Sequence, residues 1–539
     1  MAKVDNHPRN LPPLFIRIYL LGIGYFVFQF ISLNHPTAGF AWLPRYGTEF
    51  HESKTKEFKK TNHIVTSKYG YDGQFYSQIA LSPTLRQDGI EDALDVFNYR
   101  ARRILFSWTA YAFGLGRPDW ALQAYSVQNA IFWLLLAVLL LHWFPPNSWQ
   151  NTIRYLGTLY APGMIISATR ALLDGPSLFL IALGAYLIEK NKSKTGYTAL
   201  ALSSLGKETN ILSTALIPLP QNADSSSILR YFKRGAFIAI PLGIWVLYVS
   251  ILTGNGHGTS GANNFDYPLA SWFSSLVDNL STLFQEGFNS WNGVYFLMLV
   301  TLMAQALYFL LKPKPKSKWW RMGAVYALLM LILGEAVWQG HIGAAIRVVL
   351  PITLAFNILL PKTKRALPLL ILVNSLSLAG VTHLATIATP PPITHLQSQN
   401  PNVNTDPKTF TTPYLKIDEG WHDSEHIDGD YWRWSSGKSS LSYTIHRSRP
   451  VPAFFQFQLR ALSSRKITLS LNNDSVETFD YEYPNTTEPI EVSLLLQPGE
   501  NRIEFTTNTP PTFTPGDSRE LAFAMYNFTL RLEEPSGEP

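Results

Sequence analysis

The stretch LFIRIYLLGIGYFVFQFISL, residues 14–33, is apolar along its whole length and carries one charged residue, Arg17. A helix rises about 1.5 Å per residue, so roughly 20 apolar residues match the hydrocarbon core of a bilayer. The run lacks a cleavage site of the A-x-A type and is longer than the apolar region of a secretion signal. It therefore predicts a membrane-spanning helix.

Eight further apolar runs follow the first, and basic clusters separate several of them. Lys and Arg collect in short cytoplasmic loops, which places EKNKSK (189–194), LRYFKR (229–234), KPKPKSKWWR (312–321) and PKTKR (361–365) inside. Residues 34–118 and everything after 388 then lie outside. We also expect a short hairpin over 195–218 and a helix along the outer surface over 101–118. The predicted further spans are 119–143, 152–168, 173–189, 235–253, 291–311, 320–338, 342–360 and 366–388.

Composition supports this class. The chain of 539 residues is 46% hydrophobic and 15% charged, which is typical of membrane proteins rather than soluble ones. The net charge of +6 sits at the ends of apolar runs, so it indicates orientation in a bilayer and no nucleic-acid partner. Cysteine is absent, which excludes disulfides and a thiol nucleophile. We expect a protein of the bacterial inner (plasma) membrane.

The chain changes character after residue 388. Residues 389–413 are rich in Pro, Asn, Thr and Gln and predict a linker between a membrane domain (1–388) and a tail domain (414–539). Short alternating segments then predict an extracytoplasmic, jelly-roll-like β-sandwich. The predicted strands are 441–447, 453–462, 466–473, 490–496, 501–507 and 523–533.

The string YGYDGQFYSQIA, residues 69–80, lies in the large outer loop. Apolar residues recur at helical spacing and predict a helix with its aromatic face on the membrane interface: Tyr71, Phe75, Tyr76, Ile79 and Ala80. Asp72 opens this helix. It is either an N-cap or a carboxylate held just above the bilayer, where it can take a proton from a sugar hydroxyl.

Five segments resemble the GT-C superfamily, the integral membrane glycosyltransferases that take sugars from polyprenyl-phosphate donors. They are YDGQFY (71–76), YRARRILFSWTAYAFGLG (99–116), ATRALLDGPSLFLIALGAYL (168–187), LALSSLGKET (200–209) and AAIRVVLPITLAF (344–356). YDGQFY is also similar to the Trp-Asp-Gly loop of the mannosyltransferases that build lipid anchors. The resemblance implies a multi-spanning α-helical fold of about nine to eleven membrane helices.

The resemblance also implies a catalytic or metal-contacting acid in the first outer loop, which here is Asp72. Only one carboxylate lies within the motif, which leaves open a divalent cation, Mg or Mn. Asp174 is either a second acid or simply the first-turn residue of a helix.

Basic residues at membrane depth are costly and usually face a cavity. Arginine offers planar, paired donors to phosphate oxygens, so the expected ligands of the donor phosphate are Arg347, Arg170, Lys207 and Arg103. The alternatives are snorkelling to the interface for one of Arg102 and Arg103, and a Lys207–Glu208 pair. We expect Asp72 and Arg347 to face one shared chamber.

The remaining candidates are substrate contacts. In the membrane domain they are Tyr71, Gln74, Tyr76, Glu335 and His341. In the tail they are Trp421, Trp432 and Trp434, whose rings either stack on a glycan or fill the core of the sandwich.

These features predict transfer of a sugar to an envelope glycan, lipid or protein acceptor on the extracytoplasmic side. The alternatives are a transporter or flippase of lipid-linked glycans, and a glycan polymerase or ligase. The sequence has no evident internal repeat of the kind found in transporters. It also has no P-loop or dinucleotide motif.

Overall fold

A computed structural model describes most of the chain and divides it into two units. The described residues are 12–35, 38–47, 50, 54–59, 61, 63–67, 69–220, 224–253, 264–287, 290–338, 344–387, 389, 395–397, 415–427, 430–445, 450–484, 486–514 and 517–532. The first unit is Met1–Asn34, Ser53–Phe58 and Asp72–Ala388. The second is His35–Glu52, Lys59–Tyr71 and Thr389–Pro539, so it includes part of the predicted outer loop.

The first unit is helical. Its helices are α1 Pro13–Ser32, α2 Lys56–Lys59, α3 Gly73–Leu81, α4 Phe97–Ala101, α5 Leu105–Phe113, α6 Pro118–Leu140, α7 Trp149–Leu159, α8 Pro162–Thr169, α9 Asp174–Glu189, α10 Ser193–Gly206, α11 Ser225–Thr253, α12 Ala270–Glu286, α13 Ser290–Leu311, α14 Lys318–Leu331, α15 Glu335–Trp338, α16 Ala344–Val348, α17 Leu350–Leu359, α18 Leu367–Ser375 and α19 Ser377–Thr386, with 3-10 helices at Glu208–Leu216 and Lys364–Ala366.

Five helical segments are long and apolar enough to cross a membrane. They are Pro13–Ser32, Pro118–Leu140, Ser225–Thr253, Asn292–Leu311 and Lys364–Thr386. Each coincides with a predicted span. Much of their surface is exposed, as apolar side chains of a lipid-facing helix are. These helices are the basis for treating the chain as a membrane protein.

Three predicted spans are wrong as single helices. Segments 152–168 and 342–360 are interrupted, and Pro162 and Pro351 stand in the first turn of the second helix in each. Proline lacks an N–H and disfavours helix in the residue before it. Segment 320–338 breaks after Leu331, where residues 331–334 hydrogen-bond to residues 264–269 instead of continuing the helix.

The segment predicted as a hairpin, 195–218, is α10 followed by a 3-10 helix. Lys207 between them has an extended backbone, with φ −157° and ψ 121°. The Asn210 side chain then donates to the carbonyl of Ser203 over 3.2 Å, so the 3-10 segment folds back on the end of α10.

The surface position predicted for the YDGQFY helix is wrong. Every residue of α3 from Gly73 to Ala80 is buried. The helix packs against α5, where the Ser107 hydroxyl donates to the carbonyl of Tyr76 over 2.9 Å. The aromatic residues of α3 are therefore part of the protein interior.

The second unit is built from short strands, most of which pair antiparallel. They are β1 Tyr46–Gly47, β2 Val65–Ser67, β3 His395–Gln397, β4 Leu415–Ile417, β5 Trp421–Ile427, β6 Asp430–Ser435, β7 Lys438–Ile445, β8 Val451–Ala461, β9 Arg465–Leu471, β10 Asp474–Tyr481, β11 Ile490–Leu496, β12 Gly499–Thr507, β13 Thr512–Thr514, β14 Asp517–Leu521 and β15 Phe523–Leu532. Of these, β1 and β2 pair in parallel. All six predicted strands are present, and β3 lies within the predicted linker.

Two main sheets form a sandwich-like arrangement. One has the order β10-β9-β12-β7-β4, and the other β11-β8-β15-β6-β5, with β3 beside β15. Along β8, buried residues alternate with more exposed ones, as expected for a strand with one face in the core. The Phe457 ring of β8 lies 5.5 Å from Phe505 and 5.6 Å from Phe479, which belong to the other sheet. The inner faces therefore share one aromatic core.

Candidate active site

Asp72 directly precedes α3 but makes no capping hydrogen bond with its side chain. The N-cap interpretation is therefore wrong. The carboxylate instead accepts a hydrogen bond from Arg100 over 3.0 Å and lies 3.6 Å from the Arg347 guanidinium. About a third of the side chain, 35%, is exposed. Two cations therefore hold the Asp72 carboxylate in place, while part of its side chain remains exposed.

Arg347 connects two acids. Its Nη2 atom lies 3.6 Å from Oδ2 of Asp72, and its Nη1 atom lies 3.4 Å from Oδ2 of Asp174. The residue belongs to α16, and only 11% of its side chain is exposed. The structure thus brings Asp72, Asp174 and Arg347, which lie far apart in sequence, into one group.

Lys207 and Glu208 do not pair with each other, contrary to the alternative drawn from sequence. Lys207 Nζ lies 2.5 Å from Asp174 Oδ1, and each of these side chains is 8% exposed. Glu208 instead accepts two hydrogen bonds from Arg103, over 2.6 and 2.7 Å. Successive side chains on an extended backbone point to opposite sides. Because Lys207 is extended, its side chain and that of Glu208 reach different partners.

The phenol of Tyr76 joins two arginines. It accepts a hydrogen bond from Arg103 over 2.6 Å and another from Arg100 over 3.3 Å. Arg100 also makes a paired contact with Asp95, over 2.8 and 2.7 Å. Tyr76 is therefore a positioning residue for both guanidinium groups.

A cavity of about 300 Å³ opens beside this network. Its volume lies at the lower end of the range for small-molecule sites, about 300–1,000 Å³. The charged residues that line it are Asp72, Asp174, Glu208, Arg102, Arg103, Lys207 and Arg347. Its apolar lining includes Leu172, Leu173, Leu329, Leu333, Val337 and Val348. The cavity can hold a ligand that has both an anionic and an apolar part.

The cations determine the protonation of Asp72. Burial by itself would raise the pKa of this carboxyl, but Arg100, Arg347 and Arg103 lower the pKa to about 2. Asp72 is therefore ionised at neutral pH, and as long as all three cations face it, it is a weak base.

Several predicted residues lie away from the cavity. Gln74 is buried and accepts a hydrogen bond from Lys54. Arg170 follows the end of α8, and the exposed Glu335 begins α15; neither is among the cavity-lining residues. Tyr71 belongs to the second unit, where its N–H donates to the carbonyl of Arg45.

His341 lies outside the described residues. Among those that are described, no three His, Asp or Glu side chains are grouped so that they could hold a metal ion.

Two residues of the network, Arg100 and Asp95, were not assigned a role from sequence. Arg100 and Asp95 orient the acid and the phenol. Glu208, which was expected only as a partner of Lys207, neutralises Arg103. Arg100 lies in the segment YRARR, where only Ala101 separates it from Arg102 and Arg103. Three arginines within four residues, in the same predicted loop as the acidic motif, could have indicated that Arg100 also contacts the acid.

The tryptophans of the tail belong mainly to its interior. Trp434 is 8% exposed and lies in a cluster with Leu521, Ala524 and Tyr526. Trp432 stacks on Tyr526 at a centroid distance of 5.0 Å. The Trp421 indole N–H donates to the carbonyl of Ser440 over 3.1 Å. These contacts favour the core interpretation over an open stacking platform.

No protein-family model and no curated protein matches the chain. Among solved structures, it is similar to a family 35 carbohydrate-binding module from an environmental isolate, with 14% identity over 23% of this chain and 99% of the module (TM-score 0.16). It is also similar to a family 36 module in complex with calcium and xylotriose, with 13% identity over 26% of this chain and 100% of the module (TM-score 0.16).

A third similar structure is the GH26-CBM35 β-(1,4)-mannanase of Podospora anserina, with 14% identity over 23% of this chain (TM-score 0.17). The chain spans about a quarter, 27%, of the length of that enzyme.

Proposed function

We propose that this protein is a GT-C-type membrane glycosyltransferase that transfers a sugar from a polyprenyl-phosphate donor to an acceptor hydroxyl on the extracytoplasmic side. The observation that carries the proposal is the contact of Asp72 with Arg347, 3.6 Å apart at the wall of a cavity that also exposes Asp174, Lys207 and Arg103. An acid beside a group of cations is what sugar transfer from a phosphate requires.

The donor has an anionic phosphate and a long apolar chain. Guanidinium groups bind phosphate oxygens through paired hydrogen bonds, and Arg347 and Arg103 both line the cavity. The apolar residues of the lining, together with five apolar helices in the same unit, support a lipid-linked donor.

In the proposed reaction the acceptor oxygen attacks the anomeric carbon of the donor sugar. Its proton passes to Asp72 while the bond between the anomeric carbon and the phosphate oxygen breaks. The electron pair of that bond stays on the phosphate, where the cations stabilise the added charge. The new bond, the broken bond and the transferred proton are thereby all accounted for.

Donor binding also increases the basicity of Asp72. A phosphate that draws Arg347 toward itself removes one of the cations that hold the pKa of Asp72 near 2, and it adds a negative charge nearby. Both changes raise the pKa of the carboxyl. Asp72 then becomes a competent base only in the donor complex.

The proposal is tested with the wild-type protein in proteoliposomes. Labelled polyprenyl-phosphate sugars and nucleotide sugars are supplied in parallel, with a bacterial envelope fraction as acceptor. We expect label to reach the acceptor from one or more of the lipid-linked donors and from none of the nucleotide sugars. Transfer from nucleotide sugars alone contradicts the proposal. So does movement of labelled lipid across the bilayer without transfer, which is the result expected of a flippase.

The pH dependence of the reaction follows from the lowered pKa of Asp72. The profile of kcat/KM reports the free protein, in which Asp72 has a pKa of about 2 and stays ionised as the pH falls from 7 to 4. We therefore expect kcat/KM to be flat over that range. The profile of kcat reports the donor complex, and its acid limb should lie at higher pH. An acid limb in kcat/KM between pH 5 and 7 that Asp72→Asn abolishes would contradict this assignment.

A further inference from the structure

Among the described residues, every charged group around the cavity except one has a partner of opposite charge. The carboxylates of Asp72, Asp95, Asp174 and Glu208 are joined by ion pairs to four cations, Arg100, Arg103, Lys207 and Arg347. An incoming anion that binds one of these cations competes with a carboxylate already in place. Breaking a buried pair of this kind costs several kcal/mol when one partner is left alone.

Arg102 is the exception. It follows the last residue of α4, its side chain is partly buried, and it lines the cavity next to Arg103. Within the described part of the chain, its guanidinium has no hydrogen bond and no ion pair. Counted over the described residues, these groups therefore have an excess of one positive charge, located on Arg102.

We propose that Arg102 is the primary anchor of a phosphate group in this cavity, and that the phosphate binds it before any existing ion pair opens. The inference rests on the proposed function and assigns the donor phosphate to a residue outside the set expected from sequence. Arg102 offers unused donors and charge, whereas Arg347, Lys207 and Arg103 must each leave a carboxylate. Arg347 then joins the phosphate in a second step.

Binding of the phosphate to Arg102 before Arg347 has a physical advantage. A phosphate held first by Arg102 is brought beside Arg103 and Arg347 at no cost in broken pairs. Its charge then competes with Asp72 for Arg347 at short range. Anchoring at Arg102 thus comes before the release of Asp72 as a base.

The test measures binding rather than turnover. Purified protein in nanodiscs is titrated with a polyprenyl phosphate and, separately, with UDP, because both ligands carry phosphate. The variants are Arg102→Gln, Arg102→Lys and the control Arg117→Gln. Arg117 is exposed and lies over the Trp120 ring, away from the cavity. Thermal unfolding of each variant checks that it remains folded.

We expect Arg102→Gln to weaken binding of polyprenyl phosphate by about 10-fold to 100-fold, the value of hydrogen bonds to a charged group. Arg102→Lys should recover part of the loss, and Arg117→Gln should bind like wild type. Equal affinity of wild type and Arg102→Gln, both folded, would overturn the inference and leave the proposed function standing. A wild-type protein that binds UDP but not polyprenyl phosphate would instead overturn the lipid-linked donor.

Discussion

Replacing Asp72 with asparagine is expected to lower kcat for sugar transfer by about 10²-fold to 10⁴-fold, the usual contribution of a general base. The amide keeps the size of the side chain but cannot accept the proton of the acceptor hydroxyl. Donor affinity should stay the same or improve, because Arg347 loses its contact with Asp72, one of the two carboxylates that it contacts among the described residues. The measurement is kcat and KM in proteoliposomes with a lipid-linked donor.

The Asp72→Asn variant should remain folded, since its partners keep other acids. Arg100 retains Asp95, and Arg347 retains Asp174. The matched control is Asp88→Asn, an exposed acid of the same loop that does not line the cavity. We expect the control to transfer sugar like wild type. If Asp72→Asn and Asp88→Asn turn over equally, Asp72 is not the base.

The second large effect concerns the buried pair of Asp174 and Lys207. We expect Lys207→Met to lower the free energy of unfolding by about 3–5 kcal/mol, because it leaves a buried carboxylate without its nearest cation. Both side chains are 8% exposed, and the Nζ to Oδ1 distance is 2.5 Å. Equilibrium unfolding in mixed detergent micelles gives the free energy.

The double variant Asp174→Asn, Lys207→Met separates the cost of an unpaired charge from the loss of a side chain. It should recover much of the stability that Lys207→Met removes, since the carboxylate that would have lost its nearest cation is then absent too. Lys194→Met, at an exposed position on α10, the helix that ends directly before Lys207, is the control and should unfold like wild type. Equal destabilisation by the single and double changes would show that the pair does not carry the effect.

The sequence was sufficient for the elements whose apolar period is regular. The five long helices coincide with apolar runs because a stretch of about 20 such residues has few other stable environments. Six strands of the tail also coincide with predicted alternating segments, and in β8 buried residues alternate with more exposed ones as the pattern requires. Strands such as β5 and β6 were missed because their many polar residues interrupt the alternation.

Breaks inside helices were harder to predict. Pro162 and Pro351 interrupt the helix because proline has no backbone N–H to donate, so these two breaks could have been predicted from the sequence. The helix break after Leu331 depends on residues 264–269, because backbone groups of residues 331–334 form hydrogen bonds with that segment. No local pattern predicts a partner so far away.

For the candidate site, the sequence predicted the residues but not their pairing. Asp72, Asp174, Lys207, Arg103 and Arg347 were candidates from sequence, because charge beside or within apolar segments is costly and therefore unusual. Their pairing was not predictable, and the expected pair of Lys207 with Glu208 is wrong. The side chains of these two sequence neighbours diverge because the backbone of Lys207 is extended.

By itself, then, the sequence determined which segments are apolar helices, which form the β-sheet domain, and which residues carry charge into an apolar environment. Those properties depend on composition and period within a single segment. Only the tertiary structure decided that Arg347 contacts both Asp72 and Asp174, and that Arg102 lines the same cavity without a carboxylate partner in the described part of the chain. Electrostatic energies depend on distance and burial, and those are set by how distant helices pack.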